Sequence, residues 1–101
     1  MGRLTGKVAL ISGAGNGQGA SEAYFFAREG AKVIATDIEF DRLTEVVNEI
    51  NAEFPNSTIA LKHDVSSEEA WIQVVEEGVK TFGNINVLVN NAGIAITTPY
   101  T

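Results

Sequence analysis

Four glycines stand at alternate positions of one short stretch, Gly13-Ala14-Gly15-Asn16-Gly17-Gln18-Gly19, and an acid, Asp37, follows twenty residues after Gly17. Glycines let a backbone turn sharply and come close to a pyrophosphate. Where such a turn opens a helix, unpaired N–H groups and the positive end of the helix dipole meet the same anion. Gly15, Gly17 and Gly19 crowd into five residues, which favours phosphate binding over a merely flexible turn. An acid at the end of the next strand can accept hydrogen bonds from both hydroxyls of an adenosine ribose, and it repels a 2'-phosphate. No Arg or Lys follows Asp37 directly and Asn16 carries no charge, so these residues select NAD over NADP. The competing reading of Asp37 is an aspartate that starts a helix.

The elements that must hold these residues follow from the periodicity. Lys7 to Ser12 is a short apolar run leading into the glycines, which reads as a buried strand and a tight turn. Ala20, Ala23, Tyr24, Phe26 and Ala27 then recur at helical spacing from Gln18 to Glu29, with Gly30 placed to stop the helix. Lys32 to Thr36 is a second strand ending at Asp37, and Leu43, Val46, Val47, Ile50 and Phe54 mark an amphipathic helix closed by Pro55-Asn56. Thr58 to Lys62 is a third strand. Ser66-Ser67-Glu68-Glu69 carries a capping-box signature for a helix bearing Ile72, Val75, Val79 and Phe82, which Gly83-Asn84 ends. Ile85 to Val89 is a fourth strand running into Asn90-Asn91-Ala92-Gly93.

Such alternation implies an α/β fold: a Rossmann-type parallel sheet, half of a doubly wound architecture, in one domain over residues 1–101. Right-handed crossovers put the first two helices on one face. If the chain then reverses, the fourth strand lies beside the first, the strand order is 3-2-1-4 and the third helix covers the other face. The reversal opens a crevice at the carboxyl ends of the first and fourth strands, where ligands of open α/β sheets bind.

Composition removes other classes. The 13 Asp and Glu outnumber the 7 Lys and Arg, a formal charge of -6, so the basic footprint that nucleic acid demands is missing. There is no cysteine, which excludes disulfides, thiolate metal sites and a cysteine nucleophile. No apolar run is long enough for a bilayer and no signal peptide is visible, so no membrane partner and a cytoplasmic location are expected. His63 is the single histidine; it is expected to be structural, no metal site is expected, and Trp71 is expected to cover apolar surface.

The spacing Ser12-Gly13-x-x-x-Gly17-x-Gly19, taken with Asn90-Asn91-Ala92-Gly93 after the fourth strand, resembles the short-chain dehydrogenase/reductase family over nearly the whole chain. The resemblance implies that Gly13, Asn16, Gly17 and Gln18 line the pyrophosphate, with Gly19 in the same motif, and that Asp37 with Ile38 holds the adenine ribose. It places Asp64 and Val65 beside the adenine ring and Asn91, Ala92 and Gly93 along the cofactor's ribose, while Asn90 braces the sheet. Two departures are noted: Ser12 replaces the usual threonine but keeps a hydroxyl, and Gln18 occupies a position that is usually aliphatic.

The family's catalytic set, a Tyr-x-x-x-Lys pair with an upstream Ser and a supporting Asn, follows the Asn-Asn-Ala-Gly motif, and no such set occurs in this sequence. Tyr24 is followed four residues later by Arg28, and Tyr100 has no residue 104 to pair with. The expectation is therefore an NAD-dependent oxidoreductase acting on a small-molecule alcohol or ketone, represented by its cofactor-binding half, which alone is inactive and which self-associates; a homo-oligomer is expected. Two rival readings are a non-catalytic nucleotide-binding or regulatory domain and an S-adenosylmethionine-dependent methyltransferase.

Overall fold

The computed structural model describes residues 2–64 and 66–91. Seven elements alternate: β1 (Val8–Ser12), α1 (Gly17–Arg28), β2 (Lys32–Asp37), α2 (Phe40–Glu53), β3 (Thr58–Lys62), α3 (Glu68–Phe82) and β4 (Val87–Asn90). All pairings are parallel and the strand order is β3-β2-β1-β4, as the alternation predicts. Ala9 is opposite Val33 on one side and Val87 on the other, while Asp37 reaches the end of the sheet opposite Lys62.

β1 is buried along its whole length, because it has a strand on each side and helices on both faces, the environment in which a strand reads as an unbroken apolar run. Its alternate side chains feed two separate cores. Ala9 and Ile11 join Val33 and Ala35 against Ala23 and Ala27 of α1 and Leu43, Val47 and Ile50 of α2. Val8, Leu10 and Ile34 pack on Trp71, Val74 and Val75 of α3. The first two helices therefore cover one face and the third covers the other. Full burial of a side chain such as Leu10 or Ile11 stabilises the fold by about 1.5–3 kcal/mol over leaving it in water.

Local signals account for most of the boundaries. At the end of α1, Ala31 N–H reaches back to the Phe26 carbonyl (3.0 Å) and Gly30 N–H to Ala27 (3.1 Å), the paired bonds of a Schellman motif. Two details differ from the sequence-based expectation. α3 is capped by Ser67, whose hydroxyl accepts from Ala70 N–H at 3.1 Å; Ser66 turns back instead to Asp64, so the reciprocal Glu69 partner of a capping box is not engaged. β4 starts two residues later than the apolar run, because the Asn86 carboxamide takes Val8 N–H at 2.8 Å where a strand carbonyl would.

Candidate functional site

The crevice opens where the carboxyl ends of β1, β2 and β4 meet. Its floor is the turn from Ser12 to Gly17, which is held to β2 by two main-chain donors. Ala14 N–H binds the Thr36 carbonyl at 3.0 Å, and Gly15 N–H binds Asp37 Oδ2 at 2.9 Å. A Cβ on Gly15 would stand 2.8 Å from that oxygen, so only glycine lets the loop rest on the carboxylate. Asp37 Oδ1 accepts from Glu39 N–H at 3.0 Å, a local turn that leads into α2 without capping it, since the N-cap is Glu39. One N–H per oxygen leaves each with acceptor capacity for a hydroxyl.

The start of α1 is arranged for an anion. Asn16 occupies the N-cap in an extended conformation without a side-chain capping bond, and no acid lies in the first turn. The N–H groups of Gly17, Gln18 and Gly19 have no intrahelical partner in any α-helix, and the helix dipole is positive there. Gly19 sets how closely the helix approaches the turn: a Cβ at that position would overlap the Gly13 carbonyl oxygen. Asn16, Gly17 and Gln18 are exposed, as a ligand-facing loop requires, and Ile38 is 55% exposed beside Asp37.

The opposite wall is knitted through Ser12. Its hydroxyl donates to Asn90 Oδ1 at 2.8 Å and accepts from Asn91 N–H at 3.2 Å, so the serine does what a threonine hydroxyl would, and Asn90 braces the sheet as expected. The Asn91 side-chain nitrogen donates to the Ser12 carbonyl (3.1 Å) and to Glu22 Oε1 (2.7 Å). Glu22, whose other oxygen accepts from Gln18 (3.3 Å), was not among the residues singled out by sequence. The available signal was an acid one turn beyond Gln18 on the loop side of α1.

At the end of β3, Asp64 is exposed and engaged in a local turn. Its Oδ1 accepts from Ser66 N–H (3.0 Å) and Ser66 Oγ (2.6 Å), and these bonds hold its carboxyl below the ordinary aspartate range. Val65, Ala92 and Gly93, also expected at the site, lie outside the described residues.

Tyr24 is elsewhere, in the groove between α1 and α2 with Ser21, Val46 and Glu49, and its hydroxyl donates to the Glu53 carboxylate. That bond pushes the phenol above its ordinary pKa, opposite to what proton transfer near neutral pH requires. Among the described residues no group of three or more His, Cys, Asp or Glu could hold a metal ion, and no helix is long and apolar enough to cross a membrane. The arrangement can bind an anionic, ribose-bearing nucleotide; nothing in the described residues pairs a phenol with a lysine.

The short chain dehydrogenase family model matches residues 7–101. The trans-4-hydroxycyclohexanecarboxylate dehydrogenase of Sinomonas cyclohexanicum is 42% identical over 97 residues, a match covering 91% of this chain and 38% of that enzyme. In three dimensions the chain resembles the L-sorbose reductase of Gluconobacter frateurii, solved with NADPH and L-sorbose (TM-score 0.83, 35% identity, 92% of this chain, 35% of that one). It also resembles a short chain dehydrogenase/reductase of Burkholderia phymatum solved with NAD (TM-score 0.81, 30% identity, 87% and 31%). The chain thus spans about a third of the length of these relatives, from 31% to 38%.

Proposed function

This chain belongs to the short-chain dehydrogenase family, and on that premise we propose that residues 1–101 form the cofactor-binding half of an NAD-dependent oxidoreductase that interconverts a secondary alcohol and a ketone. The observation that carries the reading is Asp37: its carboxylate is half-buried at the end of β2, fixed by one N–H from the glycine loop and one from Glu39, just ahead of α2. It has an acceptor position left on each oxygen for the two ribose hydroxyls.

The residues present fit the cofactor. Gly13, Asn16, Gly17, Gln18 and Gly19 offer main-chain donors and close approach to a pyrophosphate, and Ile38, exposed next to Asp37, would lie beside the adenine ribose. Asp64, Val65, Asn91, Ala92 and Gly93 complete the site by the family pattern. The family match sets aside the methyltransferase alternative. Relatives solved with NADPH and with NAD both resemble this chain, so likeness does not choose between the two, and the choice rests on charge. A 2'-phosphate about 4 Å from the Asp37 carboxylate would be repelled by about 4 kcal/mol per unit charge at an effective dielectric of about 20.

NAD bound in the crevice would supply the hydride acceptor. What this chain would contribute is binding and orientation: the loop and α1 would hold the pyrophosphate and Asp37 the ribose, while the Ser12–Asn90–Asn91 bonds fix the β4 side of the crevice. Proton transfer falls to the Tyr, Lys and Ser that the family places after its Asn-Asn-Ala-Gly motif. Titrating the purified protein with NAD and with NADP by calorimetry tests the reading. NAD is expected to bind at least about tenfold more tightly, and equal or reversed affinities would overturn it.

A further inference from the structure

On the sheet face opposite the glycine loop, behind Asp37, the side chains of Thr36 and His63 form a buried polar pair against Trp71. His63 is 1% exposed. Its Nδ1 shares a 2.9 Å hydrogen bond with Oγ1 of Thr36, which is fully buried. Its ring stands edge-on to the indole of Trp71 in α3, with centroids 4.1 Å apart at 86°. Its main-chain N–H donates to the Asp37 carbonyl at 3.0 Å. Nε2 has no hydrogen-bond partner among the described residues. Burying an unpaired polar atom is costly, and an apolar side chain would fill the same space without that cost. The imidazole is therefore poorly explained as filler.

What distinguishes the position is that His63 grips two consecutive residues, Thr36 through its ring and Asp37 through its backbone, and these two also anchor the loop. The Thr36 carbonyl accepts from Ala14 and Asp37 Oδ2 from Gly15. Thr36 and Asp37 alternate across the strand, one toward α3 and the other toward the glycine turn.

We propose that His63 is a positioning residue for the cofactor site: braced by Trp71, it holds the end of β2 so that the Asp37 carboxylate and the Ala14–Gly15 turn sit at the right height for the ribose and the pyrophosphate. The proposal rests on the reading of Asp37 as the ribose-binding acid. His63 itself touches no ligand. Removing its bond to Thr36 loosens cofactor binding without removing any contact to the cofactor.

The test is calorimetric titration of the purified protein with NAD, with thermal unfolding of each variant in parallel. His63→Phe keeps the packing on Trp71 and loses the Thr36 bond; it is expected to raise the NAD dissociation constant about three- to tenfold, the size of one buried hydrogen bond. Thr36→Val removes the same bond from the other side with little change in shape, gives the same increase, and decides the matter if His63→Phe does not fold. His63→Asn, whose carboxamide puts a hydrogen-bonding atom near the Nδ1 position, is expected to stay within about twofold of wild type. In an Asp37→Ala background, His63→Phe should add little, because coupled residues are non-additive. If His63→Phe and Thr36→Val lower the melting temperature but bind NAD as tightly as wild type while Asp37→Ala binds weakly, the positioning role is overturned and the ribose reading stands. If Asp37→Ala binds NAD like wild type, the ribose reading fails and the positioning role with it.

Discussion

Asp37 ties the glycine turn, 22 residues earlier, to the segment that leads into α2, and in the proposed function it also holds the ribose. Hydrogen bonds to a charged group contribute about 1.5–3 kcal/mol, so Asp37→Ala should weaken NAD binding about ten- to hundredfold, measured as a calorimetric dissociation constant. Gly15→Ala should act in the same direction through the carboxylate, because the new methyl would sit 2.8 Å from Oδ2 and push it out of place. His63 gives a separate, pH-dependent outcome. Burial holds its imidazole below the ordinary histidine range, with the charge of Asp64 opposing. The unfolded chain therefore takes up the proton first. The contribution of neutral His63 is full above about pH 6.5 and falls as the pH drops from there toward the lowered folded value. The carboxyl of Asp64, depressed by Ser66, acts in a more acidic window: its contribution is present above about pH 3.9 and is lost as the pH falls through the folded value. Thermal midpoints of wild type and His63→Asn across pH should thus converge as the pH falls below about 6.5. A gap that stays constant would show that His63 does not titrate on unfolding.

Among the elements, α3 makes the sharpest test, because two adjacent serines compete for its start. Ser67 caps the helix and Ser66 serves Asp64, so Ser67→Ala should cost about 1 kcal/mol in denaturant unfolding, with Ser66→Ala costing clearly less. The reverse order would show that the cap is misassigned. The same pair marks where sequence reading stopped. The capping signature told that a helix begins near Ser66, but which hydroxyl turns inward depends on Asp64 offering Ser66 a better partner. The fourth strand shows a similar limit, since an apolar run reports burial and not pairing: Ile85 packs with the α3 core while Asn86 satisfies Val8 through its side chain. The element order and the strand order were legible, because alternation and turn chemistry are local, and so was the pairing of the glycine turn with an acid at the end of β2, because the glycine-to-acid spacing has a physical reason. Glu22 and the Thr36–His63–Trp71 cluster were not, because each is made by residues that only tertiary packing brings together.

For the whole molecule, the two flanks of β1 differ. Toward β2 and β3 the sheet is backed by α1 and α2, whereas all four residues of β4 are only half-buried although Val87, Leu88 and Val89 form an apolar run. Such a run belongs where both faces of a strand are covered. Among the described residues β4 pairs on one side only, with β1, so its outer edge is a template for another strand. Exposed apolar surface beside an open edge favours association, and the formal charge of -6 opposes it only over the Debye length, about 8 Å at physiological salt. Residues 1–101 purified as such are therefore expected to self-associate through β4 or the bare sheet beside it. They are also expected to show no alcohol oxidation with NAD above the buffer rate, since holding the cofactor does not replace a proton-transfer group. Sedimentation velocity over a concentration series, at low and high salt, checks the first expectation: association should grow with concentration and with salt, and Val89→Lys should suppress it. A concentration-independent monomer that unfolds cooperatively would show that the partly covered strand is stable as it stands, and the self-association expectation would then be abandoned.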